Sequence, residues 1–143
     1  SSKPLPGEKV ADLGRNHVTD ISGVTYNSNP PTSGPHFEEW TRPGVYNELL
    51  NDGNLIHSLE HGYIIMSYNC PEGEDCQQIK DNLKTVFEKK GQKKLIVVPR
   101  LNLDTKIALT AWTRIDKFND FDEARISTFI DSFRDRGPEK TME

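Results

Sequence analysis

The 143-residue chain is poor in cysteine, methionine and histidine, and it lacks any long apolar run. Each scarcity narrows what it can be. No stretch approaches the roughly 18 consecutive apolar residues of a membrane span. Positive charge is not in excess either, since 18 Lys and Arg stand against 22 Asp and Glu for a net charge of −4. Binding to phosphate needs an uncompensated basic face, so nucleic acid is not an expected partner. The one dense basic cluster, Lys89, Lys90, Lys93 and Lys94, reads as a solvated helix C-terminus, where cations complement the helix dipole. A glycine-rich phosphate loop and a Gly-x-Ser-x-Gly elbow are both missing. Ser33 near His36 has the residue type of a nucleophile, but the surrounding prolines and Gly34 mark turn chemistry instead.

Only two cysteines are present, Cys70 and Cys76, with five turn-forming residues between them. Redox pairs of the thioredoxin type use about two intervening residues, so the spacing favours a structural disulfide in an oxidising compartment. Closing so small a loop stabilises by about 2 to 3 kcal/mol in the chain-entropy treatment. A reactive dithiol, and with it a role as thiol–disulfide partner, is the alternative.

Length and a hydrophobic content of 34% suit one domain over residues 1–143, with an extended segment at 1–16, a core over 17–136 and a tail at 137–143. The start at Ser1 shows no leader pattern and reads as the edge of a mature chain. Most of the nine prolines fall before Asn54, which excludes long helices there. Residues 18–26 are a possible short strand, and the run Asn29-Pro30-Pro31-Thr32-Ser33-Gly34-Pro35-His36 must be a rigid loop. Trp40, Tyr46, Leu49 and Leu50 are expected to pin it to the body.

The second half is regular. Strands are expected at Tyr63–Asn69, Leu95–Val98 and Ile107–Ile115, the last carrying Trp112 among alternating Thr110 and Arg114 and placing that ring in core. Helices are expected from Asp75 or Cys76 to about Lys90, ended by Gly91, and from Asp120 or Asp122 to Gly137-Pro138. That order predicts an α+β two-layer sandwich, a mixed sheet with two helices on one face, in an order like the later part of a thioredoxin fold.

His57-Ser58-Leu59-Glu60-His61-Gly62 carries the chemistry. Four residues apart on a helical turn, the two imidazoles lie about 5 to 6 Å apart at Cβ, close enough to share an ion. On a strand they would be roughly 13 Å apart. The motif therefore predicts a helical turn cut short by Gly62.

The loop motif Asn29–His36, Trp40, Gly44-Val45-Tyr46, the His57–Gly62 motif and Ile107–Trp112 together resemble the prokaryotic domain of unknown function family 3105, across nearly the whole chain. The resemblance implies an extracytoplasmic domain, periplasmic or at the cell surface, following a signal or membrane anchor. It implies no reaction.

His36, held by a rigid loop, joins His57 and His61 as expected ligands of one transition metal. Met66 is the optional fourth ligand, whose soft thioether would favour Cu(I), and Glu60 is expected to orient an imidazole from behind. His17 is read as structural. Copper ranks ahead of zinc by the Irving–Williams order, for carriage, storage or sensing without turnover. The rival is a zinc hydrolase with Glu60 as general base of the His-x-x-Glu-His motif, disfavoured by so short a helix. Expected partners are the metal ion and another metal-handling or membrane protein, the membrane itself being reached only through an N-terminal anchor.

Overall fold

The computed structural model describes residues 4–71 and 73–143; the first three residues of the expected extended segment and Glu72 of the cysteine loop lie outside them. The elements are β1 Glu8–Lys9, β2 Gly44–Val45, α1 Asp52–Glu60, β3 Ile64–Asn69, α2 Gln77–Lys89, β4 Leu95–Arg100, β5 Ile107–Ala111, β6 Arg114–Phe118 and α3 Glu123–Phe133. They build one mixed sheet in the order β1-β6-β5-β3-β4-β2, an α+β fold. β3 and β4 are parallel, joined through α2, while β5 runs antiparallel to β3 and β6 antiparallel to β5.

Local chemistry explains the boundaries. The Asp122 carboxylate accepts the Arg125 amide at the start of α3, and Asn51 caps α1 by accepting the Gly53 amide. Gly91 at φ +85° follows α2 in the left-handed region where glycine is favoured. α1 begins at Asp52 and is longer than the single turn expected from the motif. The expected strand at 107–115 is two strands, because the chain reverses at Trp112-Thr113, with Thr113 at φ +60°. No glycine or proline marks that turn in the sequence. Residues 18–26 form no strand; the only pairing nearby is a bridge between His17 and His36.

Both faces of the sheet are covered. α2 and α3 pack on one, over a core of Ile64, Met66, Leu83, Leu109, Phe129 and Ile130. The expected two helices on one face are there, but the opposite face is not open. It carries α1 and the proline-rich segment, with Leu55, Leu59, Tyr63, Ile65, Ile96 and Val98 packed against Trp40 and Trp112. Because side chains alternate along a strand, Ile65 faces α1 while Met66 faces α2 and α3.

Cys70 and Cys76 form a disulfide between the end of β3 and the start of α2. No helix among the described residues is long and apolar enough to cross a membrane. Lys94 departs from the expected solvated cluster. It is fully buried, and its ammonium donates to the main-chain oxygens of His61 and Thr141 beside the Asp135 carboxylate.

Candidate metal centre

α1 ends in the motif that the sequence singles out. Gly62 stops it, with φ +88° and with Asp135 so close that a Cβ would lie 2.8 Å from its Cα. Carbonyls at a helix C-terminus lack intrahelical partners, and here the last segment of the chain and Lys94 supply them. The Glu139 amide donates to Glu60 O at 3.1 Å, the Asp135 amide to Gly62 O at 3.0 Å, and Lys94 to His61 O. Residues 134–143, of which 137–143 are expected as a mere tail, are thereby laid along the site, which brings Glu139 and Glu143 beside His61.

Three imidazoles point the same nitrogen inward. His36 Nδ1–H donates to Gly34 O at 2.8 Å, His57 Nδ1–H to Phe37 O at 2.8 Å, and His61 Nδ1–H to the main-chain oxygen of Glu143 at 3.0 Å. A carbonyl can only accept, so the Nδ1 of each ring carries the proton and a neutral ring leaves Nε2 as a bare lone pair. Those lone pairs face other acceptors. His57 Nε2 and His61 Nε2 are 3.1 Å apart, and His36 Nε2 is 3.2 Å from Glu60 Oε1, which also lies 3.7 Å from His57 Nε2.

Acceptor against acceptor in a buried place is unfavourable, and a proton or a metal ion between them relieves it. Burial argues against the proton on two of the rings. It pushes His36 below its ordinary value despite the opposing pull of Gly34 O and Glu60, and it pushes His61 down likewise, with His57 adding to the effect. The site also sits at the negative end of the α1 dipole, where positive charge is favoured.

His17, His36, His57 and Glu60 have ligating atoms all within 4.8 Å of one another, and so do His57, Glu60, His61 and Glu139. Donors about 2.0 to 2.1 Å from a tetrahedral ion sit about 3.4 Å apart, so only small movements would close either group around a metal. The imidazoles of His36, His57 and His61 are already fixed through Nδ1 by main-chain oxygens, the arrangement that orients metal-bound histidines. A metal ion could be held here by imidazole and carboxylate donors. The Arg15 guanidinium lies 3.4 Å from Glu60 Oε2 and leaves Oε1 to the imidazoles. Trp40 flanks the outer side, its ring 4.8 Å from that of His61 and 5.6 Å from that of His57.

A family model described as a protein of unknown function (DUF3105) matches residues 17–143. The chain belongs to the DUF3105 family. No curated protein and no solved structure matches it.

In this DUF3105 domain the expected ligands divide. His57 and Glu60 belong to both four-residue groups, whereas His36 and His61 fall in different ones. Glu60 stands among the candidate donors themselves rather than behind them. Met66 stands apart, fully buried among apolar side chains of the core facing α2 and α3, on the strand face turned away from α1. Its thioether is core packing. Two residues not expected as ligands join the site. His17 arrives because its strand-like bridge to His36 sets their rings 5.0 Å apart, and Glu139 because α1 needs a partner for the Glu60 carbonyl. Both depend on contacts distant in sequence, and no local pattern signals them. Trp112 is partly buried against the α1-side core, its ring 6.5 Å from that of His36.

Proposed function

We propose that this DUF3105 domain is an extracytoplasmic metal-binding protein that takes up one transition-metal ion, copper ahead of zinc, and carries, stores or senses it without turnover. One observation carries the reading: buried imidazole lone pairs, their Nδ1 protons committed to main-chain oxygens, are aimed at other acceptors. An ion placed among them turns that repulsion into coordination. The donors are imidazole and carboxylate, so copper would be held as Cu(II); with Met66 in the core, the soft-ligand case for Cu(I) falls away. Copper stands above zinc by the Irving–Williams order at nitrogen and oxygen sites. Glu60 is engaged by His36, His57 and Arg15 rather than free to act on a bound water, which supports binding over hydrolysis. The disulfide suits an oxidising compartment, where the ion would pass to or from another metal-handling or membrane protein.

Titrating the purified protein with Cu(II) and with Zn(II) tests this directly. Wild type should bind one ion per chain, tighter for Cu(II), and His57→Ala should lose it because both groups of donors include His57. No uptake by wild type, or unchanged uptake by the folded variant, would sink the metal reading.

A further inference from the structure

The donors form two overlapping groups, and the overlap has a mechanical meaning. His17 and His36 come from the loop segment and complete a group of three imidazoles and one carboxylate around His57 and Glu60. His61 and Glu139 complete the other, two imidazoles and two carboxylates, with Glu139 supplied by the C-terminal segment. His57 offers a single lone pair, because its Nδ1–H is held by Phe37 O. It can therefore ligate only one ion at a time, and the two groups are alternative seats rather than two separate sites.

The seats differ in charge and donor type, and each has one exposed member, His17 in one and Glu139 in the other. Two carboxylates against one make the tail-side seat the stronger attractor of a cation from solvent, and the Glu139 side chain is about half exposed at 48%. A cleft lined by Trp40, His57, His61, Glu139 and Met142 opens onto it, with His17 of the other seat at its wall. The loop-side seat has one more imidazole, the better donor for a late transition metal, and its His36 is fully buried.

Resting on the metal-binding reading above, we propose that the centre is a two-seat relay. The ion is captured by His57, Glu60, His61 and Glu139, then moves to His17, His36, His57 and Glu60. In that step the bonds to His61 and Glu139 are exchanged for bonds to His36 and His17, while His57 and Glu60 stay attached. No electron or proton changes hands. Release to a partner runs the same exchange backwards, through the cleft.

Two variants at exposed side chains test this without touching the core, His17→Ala and Glu139→Gln, each loaded with Cu(II). A residue needed only on the path slows capture and release by the same factor and leaves the equilibrium alone. Glu139→Gln should therefore slow both Cu(II) uptake and transfer to a chelator by about tenfold, with Kd changed less than about twofold. His17→Ala should raise Kd by about 10- to 100-fold and lower the number of nitrogens coupled to Cu(II) in electron paramagnetic resonance. If Glu139→Gln weakens Kd as much as His17→Ala, the ion sits in one static site and the relay is overturned. Unchanged kinetics in Glu139→Gln, or unchanged Kd in His17→Ala, overturns it too. A wild-type protein that binds no Cu(II) at all removes the metal-binding reading and the relay with it.

Discussion

The two faces of the sheet are built to different ends. The face under α2 and α3 buries fifteen apolar residues in one continuous cluster, and Arg125 and Asp116 make their ion pair at its edge. The cluster under α1 gathers six, and beside them lie His36, His57, Glu60 and His61. Among the described residues, the buried side-chain polar atoms without a hydrogen-bond partner are Thr32 Oγ1, Trp40 Nε1, the Tyr63 hydroxyl and Thr110 Oγ1. Tyr63, Trp40 and Thr110 all belong to the α1 face; Thr110 sits opposite Ile65 in the sheet. Trp40 and the Tyr63 hydroxyl are close, yet their geometry falls short of a hydrogen bond. Buried polar groups that are not fully paired cost stability, so the α1 face gives up stability that the other face supplies. Stability and chemistry are thus divided between two faces of a single sheet.

Deleting a ring from the apolar face should break this contrast most severely. Phe129→Ala removes a fully buried side chain of α3 and should cost about 3 to 5 kcal/mol in denaturant unfolding. What remains folded should still take up one metal ion per chain. Loss of metal uptake by the folded fraction would show that the faces are not independent.

The next largest effect belongs to the α1 face. An ion that binds only the folded chain stabilises it by about 2.7 kcal/mol at a free concentration a hundred times Kd. Thermal unfolding with and without Cu(II) should show this gain in wild type and none in His57→Ala. An equal gain in both would place the ion elsewhere.

A smaller effect follows from proton linkage in the metal-free protein. Burial holds His36 and His61 below their ordinary value in the folded state, so as pH falls below about 6.5 the unfolded chain takes up protons that the folded chain refuses. Stability from this source is complete above about pH 6.5 and declines as pH falls toward the lowered folded values. Denaturation midpoints measured between about pH 7 and pH 5 should drop in wild type and drop less in His61→Gln, where one of the two titrating groups is gone. An equal slope in the variant would mean that His61 contributes nothing to the pH dependence.

Much of the helix-bearing face was legible in the sequence. The stripe of Leu83, Val86 and Phe87, the Gly91 stop, the Asp122 cap and the cysteine pair are local signals, and each marks the feature it labels in the fold. The His57–His61 turn was legible for the same reason. Its neighbours were not. His17 reaches the site through a bridge to His36, and Glu139 through the unpaired carbonyls of α1, contacts that no spacing rule encodes. Lys94 looked like part of a solvated basic run, yet it is buried because three oxygens from distant segments converge on its ammonium. The reversal at Trp112-Thr113 was hidden because no glycine or proline marks it and strand-forming residues flank it on both sides.

Met66 shows the limit most sharply, and it supplies the mildest test. β3 is buried on both sides, so no alternation of polar and apolar residues says which face each side chain takes. Five residues after His61 in sequence, Met66 lies across the sheet from it, opposite Val97 and Leu109 and among the side chains of α2 and α3. Leucine has nearly its volume and no sulfur. Met66→Leu should cost less than about 1.5 kcal/mol and leave the Cu(II) dissociation constant and the metal stoichiometry unchanged. A loss of copper affinity in that variant, with the fold intact, would mean that the thioether reaches the ion and that the two faces are not chemically separate.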